Sequence, residues 1–387
     1  MSLPIPDPDA LAASQALQRA IAAEIDAAGG LISFARFMEQ ALYCPRLGYY
    51  SGGSAKLGQA GDFTTAPELS PLFGAALAQV AADIMAQSGP HVLEFGAGSG
   101  KLARDVLSEL ARLGAHVDSY TIIDLSGELR ARQQALLAEF PMVRWADALP
   151  ADFSGVVLAN EVLDAMPVQI VRATPDGWRE LAVGYAADAD GLPRFGWQER
   201  ALTPALAART LAQAGPAAQF EPGYTTEIHP VGAAFMAALA PLFGSGKGAA
   251  LLFDYGFPAH EYYHPQRHGG TLMCHYRHHA HPDPFYLPGL QDITAHVDFT
   301  AMALAAQDAG LDVLAYADQA GFLLAAGIGD LLLRTDPNDV RAYMPQANAL
   351  QKLISPAEMG ELFKVLVVGR GVSLPPAIAR ADRSFRL

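Results

Sequence analysis

The feature that most constrains this chain is an alternation of short apolar strands and helices that begins after Pro90. His91–Phe95 predicts a strand that runs into the glycine-rich stretch Gly96–Gly100, and a helix follows from about Leu102 to Arg112. Such alternation favours a parallel sheet with helices on both faces, a doubly wound α/β fold. The remaining predicted strands are Tyr120–Asp124, Val143–Trp145, Gly155–Ala159, Ala249–Tyr255, Leu311–Ala315 and Phe363–Val368.

Two stretches interrupt this alternation, and a helical region precedes it. Residues 1–60 predict a helical N-terminal lobe, with helices over Leu11–Ala28 and after Ser33. Residues 61–387 predict one domain with insertions at about 168–245 and 256–300. The first insertion contains β-rich pieces separated by turn residues, which indicate hairpins, while the second predicts an irregular segment rich in histidine and proline.

Composition excludes several classes of protein. The 387 residues are 51% hydrophobic and 17% charged, which is typical of a globular chain. The net charge of −14 argues against nucleic acid as the main partner. Cys44 and Cys274 are too few for a disulfide framework, and no apolar run reaches the length of a membrane span. We therefore predict a cytoplasmic protein that does not span a membrane.

The glycine-rich stretch is the clearest ligand-binding motif. Its spacing, G-x-G-x-G at Gly96, Gly98 and Gly100, lacks the last interval of the dinucleotide fingerprint G-x-G-x-x-G. It is also not a P-loop, because Leu102 stands where a P-loop has Ser or Thr. Glycines between a strand and a helix let the backbone approach a ligand closely at the mouth of a parallel sheet.

Two acids follow the next two strands. Asp124 ends the second strand, where a carboxylate can accept hydrogen bonds from ribose hydroxyls. Asp147 follows the third strand, where a carboxylate could accept a hydrogen from an adenine amino group. The glycine loop and these two acids together form the series that a class I S-adenosylmethionine-dependent methyltransferase uses. A nicotinamide-dependent dehydrogenase would share its first two parts and stays an alternative.

Five longer stretches resemble the MidA-like family of methyltransferases: GDFTTAPELSPLFG (61–74), LEFGAGSGKLARDVL (93–107), ANEVLDAMPV (159–168), FDYGF (253–257) and PGLQDITAHVDF (288–299). Mitochondrial members of that family are complex I assembly factors that methylate an arginine of a complex I subunit. The resemblance implies a seven-stranded, mostly parallel, Rossmann-like sheet and S-adenosyl-L-methionine as cofactor, with S-adenosyl-L-homocysteine as product. It also implies a set of cofactor-binding residues: Thr65, Pro67, Glu94, Gly96, Ala97, Gly98, Asp124, Leu125, Asp147, Ala148 and Asn160. Of these, Thr65 and Pro67 belong to a loop that would fold over the cofactor.

The residues after the fourth strand are the candidates for catalysis. In this architecture they face the methyl group, and here Asn160 is followed by Glu161 and Asp164. On a helical turn the i,i+3 spacing would place both carboxylates on one side. Two carboxylates suit a guanidinium, which they can hold in fork geometry. Alternatively, Asp164 caps a helix or pairs with a base, and Asn160 binds either the cofactor's amino-acid end or the acceptor.

Seven of the 11 histidines lie between His260 and His281. Neither an HExxH motif nor a cysteine ligand set accompanies them, so we predict no metal site. We expect His278, His281, Asp292 and His296 to form hydrogen-bond networks near an acceptor groove.

The predicted activity is S-adenosylmethionine-dependent methylation of a protein arginine. The partner would be a complex I subunit or another arginine-bearing basic segment, and the chain could form a homodimer. Two other interpretations stay open at this point: a cofactor-binding assembly factor with little turnover, and a methyltransferase of small molecules.

Overall fold

The computed structural model describes residues 3–52 and 65–387. The strands in this part of the chain are β1 (Ile32–Ser33), β2 (His91–Phe95), β3 (Ser119–Ile123), β4 (Val143–Trp145), β5 (Gly155–Asn160), β6 (Gln169–Thr174), β7 (Gly177–Ala187), β8 (Pro193–Arg200), β9 (Thr225–Ile228), β10 (Gly248–Phe257), β11 (Met273–Tyr276), β12 (His279–His281), β13 (Asp292–Thr294), β14 (Val297–Asp298), β15 (Asp312–Asp318) and β16 (Phe363–Arg370).

The α-helices alternate with these strands. They are α1 (Pro8–Ala27), α2 (Phe34–Tyr43), α3 (Ala66–Leu69), α4 (Pro71–Met85), α5 (Lys101–Arg112), α6 (Gly127–Leu136), α7 (Pro204–Gln213), α8 (Pro230–Phe243), α9 (Ala259–Tyr262), α10 (Phe299–Asp308), α11 (Gln319–Ala325), α12 (Ile328–Leu332), α13 (Val340–Ile354) and α14 (Pro376–Ala381).

A central sheet with the path β15-β16-β10-β5-β2-β3-β4 organises the molecule. Strands β4, β3, β2, β5 and β10 are parallel, whereas β16 runs antiparallel to both β10 and β15. The short strand β14 pairs with the end of β10. This arrangement confirms the predicted α/β fold with a doubly wound, mostly parallel, seven-stranded sheet of the class I methyltransferase type.

Apolar residues cover both faces of the central sheet. Helices α4, α5, α11, α12 and α13 contribute to the core on one face. Helices α8 and α10 pack on the other face. Because both faces are covered, the central strands β2, β5 and β10 are mostly apolar and buried, and four of the five residues of β2 are buried. This explains why the strands could be recognised from short hydrophobic segments.

Strands β6, β7, β8 and β9 of the first insertion form a second, antiparallel sheet together with β1 of the N-terminal region. The N-terminal helices α1 and α2 share one hydrophobic core with β6 and β7 of this sheet and with Cys274 and Ile293 of the second insertion. Ser33 caps α2, because its hydroxyl accepts a hydrogen bond from the backbone N–H of Arg36. The N-terminal region therefore packs against both insertions.

The second insertion was expected to be irregular, and this expectation is wrong. Strands β11, β12 and β13 form a small antiparallel sheet within it. Its β11–β12 hairpin turns through Arg277 and His278, both with positive φ, so the turn lacks the usual glycine or asparagine signal.

The predicted domain boundary at residues 60 and 61 and residues 61–64 of the first family motif lie outside the described residues. The division into a helical lobe and a domain with two insertions stays a prediction. None of the helices described combines the length and the hydropathy needed to cross a bilayer.

Candidate active site

The site lies where the strand order of the central sheet reverses. Chain connections lead from β2 outward to β3 and β4 on one side, and from β5 to β10 on the other. In open α/β sheets, ligands bind at the carboxyl ends of the strands at such a switch point. The glycine loop follows β2, and the segment from Asn160 to Asp164 starts at the last residue of β5, so the two stretches become neighbours.

The glycine loop has a backbone that only glycine adopts easily. Gly96 has a φ of 62° and Gly98 a φ of 54°. A Cβ atom at Gly96 would lie 3.2 Å from Cγ2 of Val162, so the loop also leaves little space toward the segment after β5. Gly100, with a φ of 87°, precedes the first residue of α5.

Asp124, directly after β3, is fixed by hydrogen bonds from three directions. Its Oδ1 accepts from the backbone N–H of Ser126 at 2.9 Å, and its Oδ2 accepts from Nε2 of Gln133 at 2.8 Å. The backbone of Gly98 also interacts with the carboxylate. Gln133 in turn donates to the carbonyl of Gly98 and accepts from Nε1 of Trp145. Burial raises the pKa of Asp124 while these hydrogen bonds oppose the rise.

Glu94 is a buried acid within β2. The hydroxyl of Tyr120 donates a 2.7 Å hydrogen bond to Oε2 of Glu94. Burial raises the pKa of Glu94 to about 8, since an ionised carboxylate is poorly solvated there.

The segment after β5 carries the candidate catalytic residues on a strained turn. Glu161 has a φ of 53°, an uncommon conformation for a residue with a side chain, and its backbone N–H donates to the carbonyl of Phe253 at 2.8 Å. Nδ2 of Asn160 donates to Oε1 of Glu161 at 3.1 Å. Oδ1 of Asn160 is buried and has no hydrogen-bond partner among the described residues, so it can accept one from a ligand.

Asp254 lies beneath this turn and fixes it to β10. Its Oδ2 accepts hydrogen bonds from the backbone N–H groups of Leu163 at 2.9 Å and Asp164 at 3.2 Å. Its Oδ1 accepts from the backbone N–H of Tyr255 at 2.9 Å. Asp254 is only 1% exposed. The sequence motif FDYGF contains this residue, but its role as an anchor for the catalytic turn was not predicted.

Glu161 and Asp164 on this turn and Asp254 beneath it lie close together and largely out of water. Burial and the neighbouring Asp164 raise the pKa of Glu161 to about 8. Burial raises the pKa of Asp164 to about 6, while a hydrogen bond with Tyr255 opposes this shift. Burial and repulsion from Asp164 and Glu161 hold the pKa of Asp254 well above its usual range. Such crowding of carboxylates favours the binding of a cation, which would relieve their repulsion.

Aromatic residues from the N-terminal region lie on the same cavity. The rings of Tyr43 and Tyr50 stack with centroids 5.5 Å apart. The hydroxyl of Tyr43 donates to the carbonyl of Ala165 at 2.8 Å, and that of Tyr50 donates to both carboxylate oxygens of Asp292 at 3.0 and 3.1 Å. Sequence reasoning missed these tyrosines, although Tyr50 belongs to the glycine-rich segment GYYSGG.

A cavity of about 400 Å³ joins these groups. Most of the residues predicted from the sequence line it: Thr65, Pro67, Glu94, Gly96, Ala97, Gly98, Asp124, Leu125, Asn160, Glu161 and Asp164. The cavity fits a nucleoside cofactor, because it combines a close-approach glycine loop, a fixed carboxylate after β3 and the unpartnered buried oxygen of Asn160.

Two of the predicted cofactor residues, Asp147 and Ala148, do not line this cavity. The Asp147 side chain is 87% exposed and forms a 2.6 Å ion pair with Arg130. The geometry therefore does not support the expected contact between this carboxylate and an adenine.

The histidines of the second insertion lie in different places. His278 and His281 belong to the β11–β12 hairpin and do not line the cavity, whereas Asp292 does. His296 packs edge-on against the rings of Tyr255 and Phe257. Within residues 3–52 and 65–387, no group of three or more histidine, cysteine or acidic side chains is arranged to hold a metal ion.

Comparison with known proteins agrees with this geometry. A family described as S-adenosyl-L-methionine-dependent methyltransferases matches residues 73–317. "Protein arginine methyltransferase NDUFAF7, mitochondrial" of Danio rerio is 30% identical over 379 residues, which cover 88% of this chain and 84% of the relative. The relative of the same name from Mus musculus is also 30% identical, over 86% of this chain and 80% of its own length.

A solved structure extends the similarity to the cofactor. The crystal structure of a COG1565 superfamily member from Burkholderia thailandensis, bound to S-adenosyl-homocysteine, is 53% identical and has a TM-score of 0.93. The match covers 100% of both chains. The cofactor of the present chain is accordingly S-adenosyl-L-methionine. With its fold, glycine loop and matched relatives in agreement, the chain belongs to the MidA-like family of S-adenosyl-L-methionine-dependent methyltransferases.

Proposed function

We propose that this methyltransferase transfers the methyl group to an arginine side chain of a protein substrate. The observation that carries the proposal is the group of three carboxylates, Glu161, Asp164 and Asp292, that lines the cavity beside the glycine loop. Asp254 adds a fourth carboxyl group beneath the turn. A guanidinium is the protein side chain that best matches several carboxylates, since its five N–H donors lie in one plane.

The chain's own groups would position the acceptor and take up its proton. The bound cofactor supplies an electrophilic methyl group on sulfur. The carboxylates of Glu161 and Asp164 would hold two edges of the guanidinium and direct the remaining nitrogen toward the glycine loop. Because arginine is not deprotonated in advance, the attacking nitrogen would lose its proton as its bond to the methyl carbon forms and the carbon–sulfur bond breaks, which leaves S-adenosyl-L-homocysteine. An ionised Glu161 carboxylate, whose pKa is about 8, is the group best matched to accept it.

The relatives support the acceptor class, because curated proteins that match most of this chain carry the name protein arginine methyltransferase. The mitochondrial location belongs to those relatives. For this chain, methylation of a complex I subunit, a homodimeric state and a cytoplasmic location stay predictions.

A transfer experiment tests the proposal. Purified protein is incubated with S-adenosylmethionine carrying a tritiated methyl group and with protein extract from cells that lack this chain. The labelled protein is hydrolysed to amino acids, and the label is assigned to methylarginine, methyllysine or other products. We expect methylarginine with the wild-type chain and little label with Glu161→Gln, which removes the ionisable carboxylate and keeps the size of the side chain.

The same experiment discriminates between the alternatives. Label in methyllysine, or only in molecules that pass a small-pore filter, would contradict arginine as the acceptor. Absence of label from every product, together with tight binding of S-adenosylhomocysteine, would instead favour an assembly factor that binds the cofactor with little turnover.

A further inference from the structure

Tyrosine rings form one side of the cavity, and the mechanism proposed above gives them no role. Tyr43, the last residue of α2, and Tyr50 both line the cavity, with their rings stacked at an interplanar angle of 19°. Tyr49 also lines it and packs edge-on against Tyr50, with centroids 5.1 Å apart. These tyrosines come from the N-terminal region, more than one hundred residues before the acids that they face.

Hydrogen bonds hold both stacked rings in place beside the carboxylates. Tyr43 donates its hydroxyl hydrogen to the carbonyl of Ala165, which directly follows Asp164. Tyr50 donates to Asp292, which lies on β13. Each hydroxyl is therefore already engaged within the protein. What the two residues add to the cavity is rigid aromatic surface with a fixed position relative to Asp164 and Asp292.

Aromatic surface next to carboxylates discriminates between cations. A guanidinium is planar and weakly hydrated, so it can stack on a tyrosine ring while its edge donates hydrogen bonds to carboxylates in its plane. An ammonium is compact and strongly hydrated, and it loses more hydration when it contacts a ring. Acids alone would attract either cation, whereas acids combined with a ring face favour the planar one.

We propose that Tyr43 and Tyr50 form the aromatic wall of the acceptor site and select a guanidinium over an ammonium. This inference rests on the proposed function, since it assigns to the tyrosines the choice between arginine and lysine. The carboxylates of Glu161 and Asp164 supply the attraction for a cation, and the ring faces supply the preference for a planar one. Tyr43 and Tyr50 are thus specificity-determining residues.

The test uses three synthetic probes that need no knowledge of the acceptor protein. Each is an adenosine with an alkyl arm at its 5′ position, and the arm ends in a guanidine, an amine or a neutral urea. Affinities for the full chain are measured by calorimetry. We expect wild-type protein to bind the guanidine probe more tightly than the amine probe, and both more tightly than the urea probe.

Matched variants isolate the ring from the hydroxyl. Tyr43→Leu and Tyr50→Leu remove aromatic surface, whereas Tyr43→Phe and Tyr50→Phe keep it. We expect the preference for guanidine over amine to fall about ten-fold in each leucine variant, because a partly desolvated cation–π contact contributes about that much. The phenylalanine variants should keep the preference within about two-fold. Because both probes are measured on the same variant, a general loss of stability cancels in their ratio, and S-adenosylhomocysteine affinity verifies that the cofactor site is intact.

Three results distinguish failure of the aromatic wall from failure of the proposed function. A wild-type protein that binds the urea probe as tightly as the guanidine probe would overturn the proposed function and this inference with it. A wild-type preference for guanidine over amine that survives both leucine substitutions would overturn the aromatic wall and leave the proposed function standing. A preference lost in the leucine variants and kept in the phenylalanine variants is the result that the inference predicts.

Discussion

The carboxylate of Asp124 should contribute to cofactor affinity by an amount that its surroundings limit. A carboxylate has about four lone-pair positions for hydrogen bonds. In this protein, Ser126, Gln133 and Gly98 already interact with it. One position is thus left for a ribose hydroxyl, rather than the two hydroxyls that the sequence pattern suggested.

The expected effect of Asp124→Ala follows from that count. A hydrogen bond to a charged group contributes about 1.5–3 kcal/mol. Loss of one such bond corresponds to roughly 10- to 150-fold weaker binding, because each 1.4 kcal/mol is a factor of ten. We therefore expect the dissociation constant of S-adenosylhomocysteine to rise by this factor in the variant.

Calorimetric titration of the purified chain measures the effect, and two substitutions serve as controls. Asp118→Ala makes the same charge change just before β3, on an exposed residue that pairs with His116. Asp147→Ala removes the exposed acid that the sequence pattern had assigned to adenine. Both variants should bind S-adenosylhomocysteine within about two-fold of wild type, since an exposed ion pair contributes about 0–1 kcal/mol.

Two results would refute this reasoning. An Asp124→Ala variant that binds S-adenosylhomocysteine as tightly as wild type would remove Asp124 from the cofactor site. A loss of ten-fold or more in Asp147→Ala would instead restore the adenine contact and show that the end of β4 rearranges when the cofactor binds.

Three further outcomes are expected. Because the pKa of Glu161 is raised to about 8, kcat/KM for the cationic acceptor should increase as the pH rises from 7 to 9, above the pKa of Asp164 at about 6, since binding needs the ionised form of Glu161. A Glu161→Gln variant that keeps this rise would show that another group titrates. Asp254→Asn should lower the rate of methyl transfer about 10-fold or more, because an amide cannot accept all three backbone hydrogen bonds that hold the turn of Glu161 and Asp164. The affinity for S-adenosylhomocysteine should change little. Equal losses of transfer rate and of S-adenosylhomocysteine affinity would contradict a role confined to this turn. Tyr120→Phe should reduce the free energy of unfolding, measured by denaturant titration, by about 1–3 kcal/mol, because Glu94 loses its buried hydrogen-bond donor. A denaturation curve with the same midpoint and slope as that of wild type would refute this stabilising role of Tyr120.

The strands of the central sheet could be predicted because each is recognisable from a few consecutive residues of the sequence. Each of the seven strands on its main path is a short segment between turn residues, and the predicted and observed bounds agree within three residues, as for His91–Phe95 and for the strand that begins at Phe363. The helix Val340–Ile354 was missed because Pro345 interrupts its pattern, yet the helix continues through it. Strand β9 was missed because it is short, and its partner β6 lies more than fifty residues earlier in the chain.

Fold and position identified the parts of the candidate site at the ends of strands, whereas Thr65, Pro67 and Glu94 were implied by the family resemblance. Asn160 ends β5, Glu161 and Asp164 follow it, and Asp124 follows β3, so fold and position together identified them. Tyr43 at the end of α2 and Tyr50 beyond it reach the cavity through long-range packing, for which no local pattern exists. Asp254 was hidden for a different reason: it acts through backbone N–H groups, and these carry no residue-specific signal.

The central claim is that the carboxylates after β5 hold an arginine for methylation. Quantitative mass spectrometry of methylated peptides tests it most directly, in cells that carry the wild-type chain, the Glu161→Gln chain or neither. The account predicts at least one peptide whose arginine is methylated only in the presence of the wild-type chain. Identical arginine methylation in all three strains, or a dependent methyl group on a lysine, would contradict it.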